Sequence, residues 1–167
     1  IGVGALRLGV ALPYRWQLWL GRGVGELLYR LAAKRRRIAR INVDLCFPQL
    51  ATGQRQALVK ANFIATAISL FEVGMAWWYS PQRLRRLYQL EGEAHLHRAL
   101  AQGQGVILLG GHYTTVELGG RMLADHLSGN FSPVYKPAKN RLFNALMARY
   151  RNRRVAADAI VSIAHGS

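Results

Sequence analysis

The chain of 167 residues has a single cysteine and only eight acidic residues, against 23 lysines and arginines. One cysteine excludes an internal disulfide. Cys46 lies in an apolar context that is typical of a buried small side chain, which favours a reducing compartment. The formal net charge of +15 indicates acidic partners, namely nucleic acid, anionic lipid or an acidic protein.

Two further absences limit the chemistry and the architecture. The sequence has no Gly-x-Ser-x-Gly element, so it offers no nucleophile elbow of the hydrolase type. It also has no internal repeat and no low-complexity tract, which argues against a solenoid or a linker-rich protein.

The N-terminal part has features of a membrane-associated segment but is short. Residues 1–14 are apolar apart from Arg7, whereas roughly 20 residues are needed to cross a bilayer. By itself the stretch suits an interfacial helix among lipid headgroups, with a packed core helix as the alternative. Trp16 and Trp19 are placed as interfacial aromatics, and the basic run 30–40 suits the cytoplasmic side. We expect residues 1–32 to form membrane-anchoring or interfacial helices.

Residues 33–86 are predicted to be helical. Ile38, Ile41 and Leu45 fall on one face of an amphipathic helix, which Pro48 terminates. A second helix is predicted over 52–79. Trp77 and Trp78 on this second helix suit core packing better than they suit an acyl-chain groove.

Residues 87–167 alternate short apolar units with helical patterns. Strands are predicted at 88–90, 106–109 and 131–135, and helices at 93–102, 115–127 and 142–150. Strands that alternate with helices form βαβ units and a mainly parallel sheet. The predicted fold class is therefore α/β, with an N-terminal helical membrane-associated segment followed by part of a mainly parallel sheet with flanking helices.

One stretch carries the clearest chemical motif. The apolar run Val106–Leu109 suits an interior strand, and Gly110 and Gly111 after it allow a sharp turn and a close approach to a ligand. His112 then falls at the carboxyl end of a parallel strand, where open α/β sheets bind ligands, and an imidazole titrates close to neutral pH. Glu117, in the first turn of the next helix, is placed to orient that imidazole. The motif predicts a general base with its carboxylate partner, and a hydrogen-bonded structural histidine is the alternative.

The same residues resemble a known family. Gly-His-Tyr-Thr-Thr-Val-Glu-Leu-Gly-Gly-Arg at 111–121 resembles the His-x4-Glu/Asp signature of the late lipid A acyltransferases, the lauroyl/myristoyl transferases of Gram-negative inner membranes. Further blocks agree in order and spacing: Asn-Val-Asp-Leu-Cys-Phe-Pro at 42–48 after a basic segment, Glu-Val-Gly-Met-Ala-Trp-Trp at 72–78, and Val-Tyr-Lys-Pro at 134–137 followed by Asn140. The likeness covers about residues 10–154. Family members continue well beyond this point, so we expect the chain to be a fragment with an incomplete core.

The resemblance implies an acyltransferase with a glycerolipid acyltransferase-like fold. It also implies that residues 1–14 are the end of a truncated signal-anchor helix. It implies that His112 is the general base on a lipid hydroxyl, that Glu117 orients it, and that Arg151 stabilises an oxyanion or holds acceptor phosphates. The acyl chain would pass from an acyl-carrier-protein thioester to a hydroxyl of a lipid A precursor, at the inner membrane with the catalytic part facing the cytoplasm. A thioester supplies its own leaving group, so we expect no enzyme nucleophile, cofactor or metal.

A basic stretch is expected to bind the substrate. No aspartate or glutamate occurs between His126 and Ala157, so the local field is positive. Lys136 stands where the family usually has arginine, which keeps the charge but loses the two-pronged phosphate contact. The alternative is an ordinary solvated helix face. The expected substrate-binding residues are Gly111, Tyr135, Lys136, Asn140, Arg153 and Arg154.

The remaining histidines do not predict a metal site. His95 and His97 point to different faces of a helix, and His126 and His165 have no evident partner in the sequence pattern.

Other functions remain as alternatives to acyl transfer onto lipid A. They are an acyltransferase for another glycolipid or a lysophospholipid, a basic nucleic-acid-binding module without a recognised motif, and an inactive fragment. We expect acyl carrier protein, a lipid A precursor or related glycolipid, and the anionic membrane as partners, and no nucleic acid.

Overall fold

The computed structural model describes residues 2–103, 105–127, 132–135, 140–151 and 161–162. The chain divides into two compact units, Ile1–Trp78 and Tyr79–Ser167. The boundary falls at the carboxyl end of a long helix, between Trp78 and Tyr79. The division of the sequence into 1–32, 33–86 and 87–167 stays a prediction.

The first unit is helical, as its sequence pattern predicted, and consists of four helices. They are α1 (Gly2–Ala11), α2 (Tyr14–Leu31), α3 (Ala33–Cys46) and α4 (Thr52–Trp78). Helix α4 packs against the other three, and α2 contacts it most extensively. The predicted core packing of Trp77 is confirmed because its side chain is buried and meets Trp78 edge to face, at 5.6 Å between ring centroids.

Helices α2 and α4 approach each other through glycines. Gly21 and Gly25, one turn apart on α2, are both buried against α4. A Cβ on Gly25 would lie 2.5 Å from the Cα of Ile64, and one on Gly21 would lie 3.1 Å from the Cα of Ile68. Small residues at this spacing let two helix backbones come into close contact. Gly21 and Gly25 thus serve helix packing.

The apolar helices bear on membrane association. Among the described residues, α4 is the one helix whose length and composition would allow it to cross a bilayer. Of its apolar stretch of 18 residues, 22% is buried. Helix α1 is apolar but shorter. Trp16 and Trp19 are exposed on α2 and stack edge to face, at 6.4 Å between ring centroids. Cys46 is exposed at the end of α3, so the prediction that it is buried is wrong.

The second unit has shorter elements. Helices α5 (Pro81–Arg85), α6 (Glu93–Ala101) and α7 (Val116–His126) are followed by β1 (Val134–Tyr135), α8 (Arg141–Arg151) and β2 (Val161–Ser162). The two strands pair in parallel, with Val134 opposite Val161. The helices predicted at 93–102, 115–127 and 142–150 are confirmed to within one residue at each end.

The predicted fold class is wrong. The described residues are mainly helical, and the β structure among them is a single pair of two-residue strands. Residues 88–90 and 106–109 are irregular, and Ile107 and Leu109 are 96% and 98% exposed instead of covered on both faces. An extended segment becomes a strand only when a neighbour takes up its backbone N–H and C=O groups. Within the described part of the chain the run 106–109 has no such ladder, so a glycerolipid acyltransferase-like parallel sheet is not formed.

Candidate functional site

The candidate site lies where the irregular segment after α6 enters α7. The backbone N–H of Tyr113 donates to the carbonyl of Gly111 at 2.9 Å, which places His112 at the centre of a three-residue turn. The N–H of Val116 then donates to the carbonyl of Tyr113 at 3.1 Å, and α7 begins. These two tight turns put His112 at an exposed position immediately before the helix.

Gly111 has a steric role in this turn. The ring of Tyr113 folds back over it, and a Cβ at Gly111 would lie 2.6 Å from Cε2 of that ring. The tyrosine is exposed, so a larger residue at Gly111 would push the ring away and alter the surroundings of His112. The predicted contact of Gly111 with the substrate stays a prediction.

Glu117 is the second residue of α7, five positions after His112, and it is partly exposed at the helix start. Thr115 occupies the N-cap position, as predicted, but its side chain makes no capping hydrogen bond. The first-turn amides of α7 therefore donate no hydrogen bond to that hydroxyl, and they give the helix start a partial positive charge that favours a nearby anion. A base, a carboxylate and a helix N-terminus occur together in this short segment.

The inner face of α7 is anchored by buried residues. Leu118 and Ala124 are buried, and Arg121 donates through Nε to Asp125 at 2.9 Å. A second nitrogen of Arg121 lies 3.4 Å from the carbonyl of Tyr79. Because this buried face holds α7 in place, it also holds Glu117 in place at the start of the helix.

The other predicted site residues are only partly described. Asn140 precedes α8, and its side-chain oxygen accepts from the N–H of Phe143 at 3.0 Å, so this residue caps the helix. Tyr135 belongs to β1 and Arg151 is the last residue of α8. The side chains of Tyr135 and Arg151, and the whole of Lys136, Arg153 and Arg154, lie outside the described residues. Their proximity to His112 stays a prediction.

A second cluster was not predicted from the sequence. Glu93 accepts hydrogen bonds through Oε1 from Nε2 of His97 at 2.9 Å and from Nε2 of His126 at 2.8 Å. The spacing of Glu93 and His97 by one helical turn was a visible signal. His126 is distant in sequence, and only the packing of the unit brings it to the pair.

Most of the chain is similar in sequence to proteins of one known family. The model of a family described as bacterial lipid A biosynthesis acyltransferase matches residues 1–157. The chain is 36% identical over 91% of its length to the lipid A biosynthesis palmitoleoyltransferase of Escherichia coli strain K12, and 36% identical over 92% to the lauroyltransferase of the same strain. A lipid A biosynthesis acyltransferase of Haemophilus influenzae is 34% identical over 92%. No solved structure matches the chain significantly.

The chain belongs to the bacterial lipid A biosynthesis acyltransferase family. The family predicted from the resemblance is thereby confirmed. The chain spans about half the length of these relatives, 49% of each.

Proposed function

We propose that the protein is an acyltransferase that moves a fatty acyl chain from an acyl-carrier-protein thioester to a hydroxyl of a lipid A precursor. The observation that carries this proposal is the turn that presents His112 directly before α7, with Glu117 in the first turn of the helix, in a chain of this family. The names of the similar proteins support an acyl transfer in lipid A biosynthesis.

In the proposed mechanism His112 is the general base. Its imidazole takes the proton of the acceptor hydroxyl, and the oxygen attacks the carbonyl carbon of the thioester. Glu117 orients the ring and stabilises the imidazolium that forms. When the tetrahedral intermediate collapses, the carbon–sulfur bond breaks and the imidazolium returns its proton to the leaving thiolate. The reaction needs no covalent enzyme intermediate.

Stabilisation of the developing negative charge is assigned to the helix start of α7 and to Arg151. The tetrahedral intermediate carries a negative oxygen, and preorganised donors such as first-turn helix amides lower its energy. Arg151 is proposed to share this role or to hold an acceptor phosphate. The residues proposed to contact the substrate are Gly111, Tyr135, Lys136, Asn140, Arg153 and Arg154.

The cellular setting follows from the same proposal. The acceptor and its product are lipids, so we propose that the protein works at the inner membrane with its catalytic part facing the cytoplasm. The apolar helix α4 and the exposed tryptophans of α2 support membrane association. The two Escherichia coli relatives of equal identity are named for different acyl groups, palmitoleoyl and lauroyl, so the acyl chain is left to experiment.

The decisive experiment is a transfer assay on membranes that contain the protein, with acyl-carrier-protein thioester as donor and tetra-acylated lipid A precursor as acceptor. We expect His112→Ala to lower the rate by at least about 100-fold, the usual contribution of a general base. His95→Ala is the matched control, because His95 is an exposed histidine outside the motif, and it should retain activity.

Two outcomes would contradict the proposal. Full activity of His112→Ala at unchanged protein level would show that His112 is not the general base. Transfer to another glycolipid or a lysophospholipid, with none to the lipid A precursor, would support acyl transfer but contradict the proposed acceptor.

A further inference from the structure

Glu93, His97 and His126 form a compact cluster outside the proposed catalytic motif. Glu93 and His97 lie one turn apart on α6, and His126 is the last residue of α7. One donor atom from each residue lies within 4.8 Å of the others. The cluster thus joins two helices that are consecutive in the chain.

The donor set is chemically specific. Two imidazole nitrogens and a carboxylate oxygen are the ligands that zinc takes in many protein sites. In the present arrangement both histidines direct Nε2 to the same oxygen of Glu93. A metal ion between the three groups would take the place of the two shared protons and would bind all three donors at once.

The distances allow an ion with a small adjustment. Tetrahedral zinc with ligands at roughly 2.0–2.2 Å holds its donor atoms about 3.4 Å apart. The present separations of 2.8 and 2.9 Å would therefore open by roughly half an ångström. The side chains are partly exposed, 41% for Glu93, 60% for His97 and 24% for His126, so they have room to move and an ion has an entry path.

We propose that Glu93, His97 and His126 bind a divalent transition-metal ion, with Zn²⁺ the best match to the donor set. Solvent would supply the fourth ligand, since the cluster opens to the surface. The ion would cross-link α6 to the end of α7, and the segment enclosed by this link carries His112 and Glu117. The site is independent of the proposed acyl transfer, because none of its ligands belongs to the catalytic motif.

The test measures metal binding directly. The protein is purified in detergent without a polyhistidine tag, stripped with a chelator, and titrated with Zn²⁺ against a chromophoric indicator. We expect one zinc ion per chain, a rise in the midpoint of thermal unfolding with zinc, and weaker binding by at least about 100-fold in His97→Gln and His126→Gln.

His95→Gln is the matched control. His95 lies on the same helix as His97 and is exposed, but it is not a member of the cluster. It should bind zinc like the unaltered chain, and circular dichroism should show equal helix content in all three variants. The proposal is overturned if the unaltered chain takes up no stoichiometric zinc, or if its affinity is the same in His97→Gln, His126→Gln and His95→Gln. Neither result depends on transferase activity.

Discussion

Arg121 and Asp125 form a buried ion pair on α7. The nitrogen and oxygen lie 2.9 Å apart, and the two side chains are only 6% and 8% exposed. Charges taken out of water depend on each other, because the loss of one partner leaves the other unpaired in a region of low dielectric. The position of α7, and with it the start of the helix that carries Glu117, rests partly on this pair.

We expect Arg121→Met to lower the free energy of unfolding by about 3–5 kcal/mol, since Asp125 would remain buried without its cation. Arg22→Met is the control: the pair Arg22–Glu26 has the same spacing, but its atoms are 3.9 Å apart and the arginine is 71% exposed. We expect Arg22→Met to lower the free energy of unfolding by about 1 kcal/mol or less. Chemical denaturation in mild detergent measures both changes in the free energy of unfolding. Equal changes would show that burial of an ion pair does not determine its contribution to stability.

At the scale of single residues, local motifs were predictable and distant partners were not. The sequence predicts a turn at His112 and a helix start with Glu117 because both are set within a few residues, and an interaction between the two side chains stays a prediction. The partnership of Glu93 with His126 spans two helices and a long irregular segment. Only tertiary packing decides such a contact, so no periodicity could reveal it.

At the scale of elements, the glycines of α2 have separate roles. Gly25 faces α4, where an added Cβ would lie 2.5 Å from the Cα of Ile64 and 2.9 Å from the carbonyl oxygen of Phe63. Both are backbone atoms, so the clash cannot be relieved by a side-chain rotation. At Gly23, on the same helix, an added Cβ would have no neighbouring atom within 4 Å.

We therefore expect opposite effects from the same substitution. Gly25→Ala should destabilise the first unit by about 1–3 kcal/mol, because the two helices must separate. Gly23→Ala should be neutral or stabilising by up to about 1 kcal/mol, because alanine is the better helix former. Thermal unfolding followed by circular dichroism compares the two. A Gly25→Ala protein as stable as Gly23→Ala would contradict the close packing of α2 on α4.

The elements also show why helices were predicted better than strands. A helix satisfies its own backbone, so an apolar period of 3.6 residues with clear end signals suffices to locate α4 and α7. A strand needs a neighbouring strand, and the apolar run 106–109 says nothing about whether one is available. In the described structure that run is exposed and irregular, and the parallel pairing is formed instead by β1 and β2.

At the scale of the whole molecule, the dominant property is the net charge of +15. Helix α3 contributes an exposed group of cations close in sequence to the exposed tryptophans of α2. Its exposed basic residues are Lys34, Arg35, Arg37 and Arg40. Each basic residue near an anionic lipid surface contributes about 1 kcal/mol, and the attraction decays within a Debye length of about 10 Å at 0.1 M salt.

We expect the protein, diluted from detergent, to float with vesicles that contain phosphatidylglycerol and to bind them more weakly as salt rises towards about 1 M, where the Debye length is about 3 Å. Replacement of the four α3 cations by glutamine should weaken binding by roughly 100-fold, since the contributions of neighbouring charges overlap. A variant in which Arg35, Arg37 and Arg40 become lysine keeps the charge and should bind normally.

The same experiment separates the membrane hypothesis from nucleic-acid binding. Both are favoured by positive charge, and both weaken with salt, so salt dependence alone cannot distinguish them. The exposed Trp16 and Trp19 can enter a lipid interface, and this apolar contribution persists when the charges are screened. Residual vesicle binding at high salt that is lost in Trp16→Ser/Trp19→Ser is therefore the expected membrane signature. An affinity for nucleic acid above that for anionic vesicles at equal salt would indicate that the exposed cations of α3 bind nucleic acid instead of the membrane.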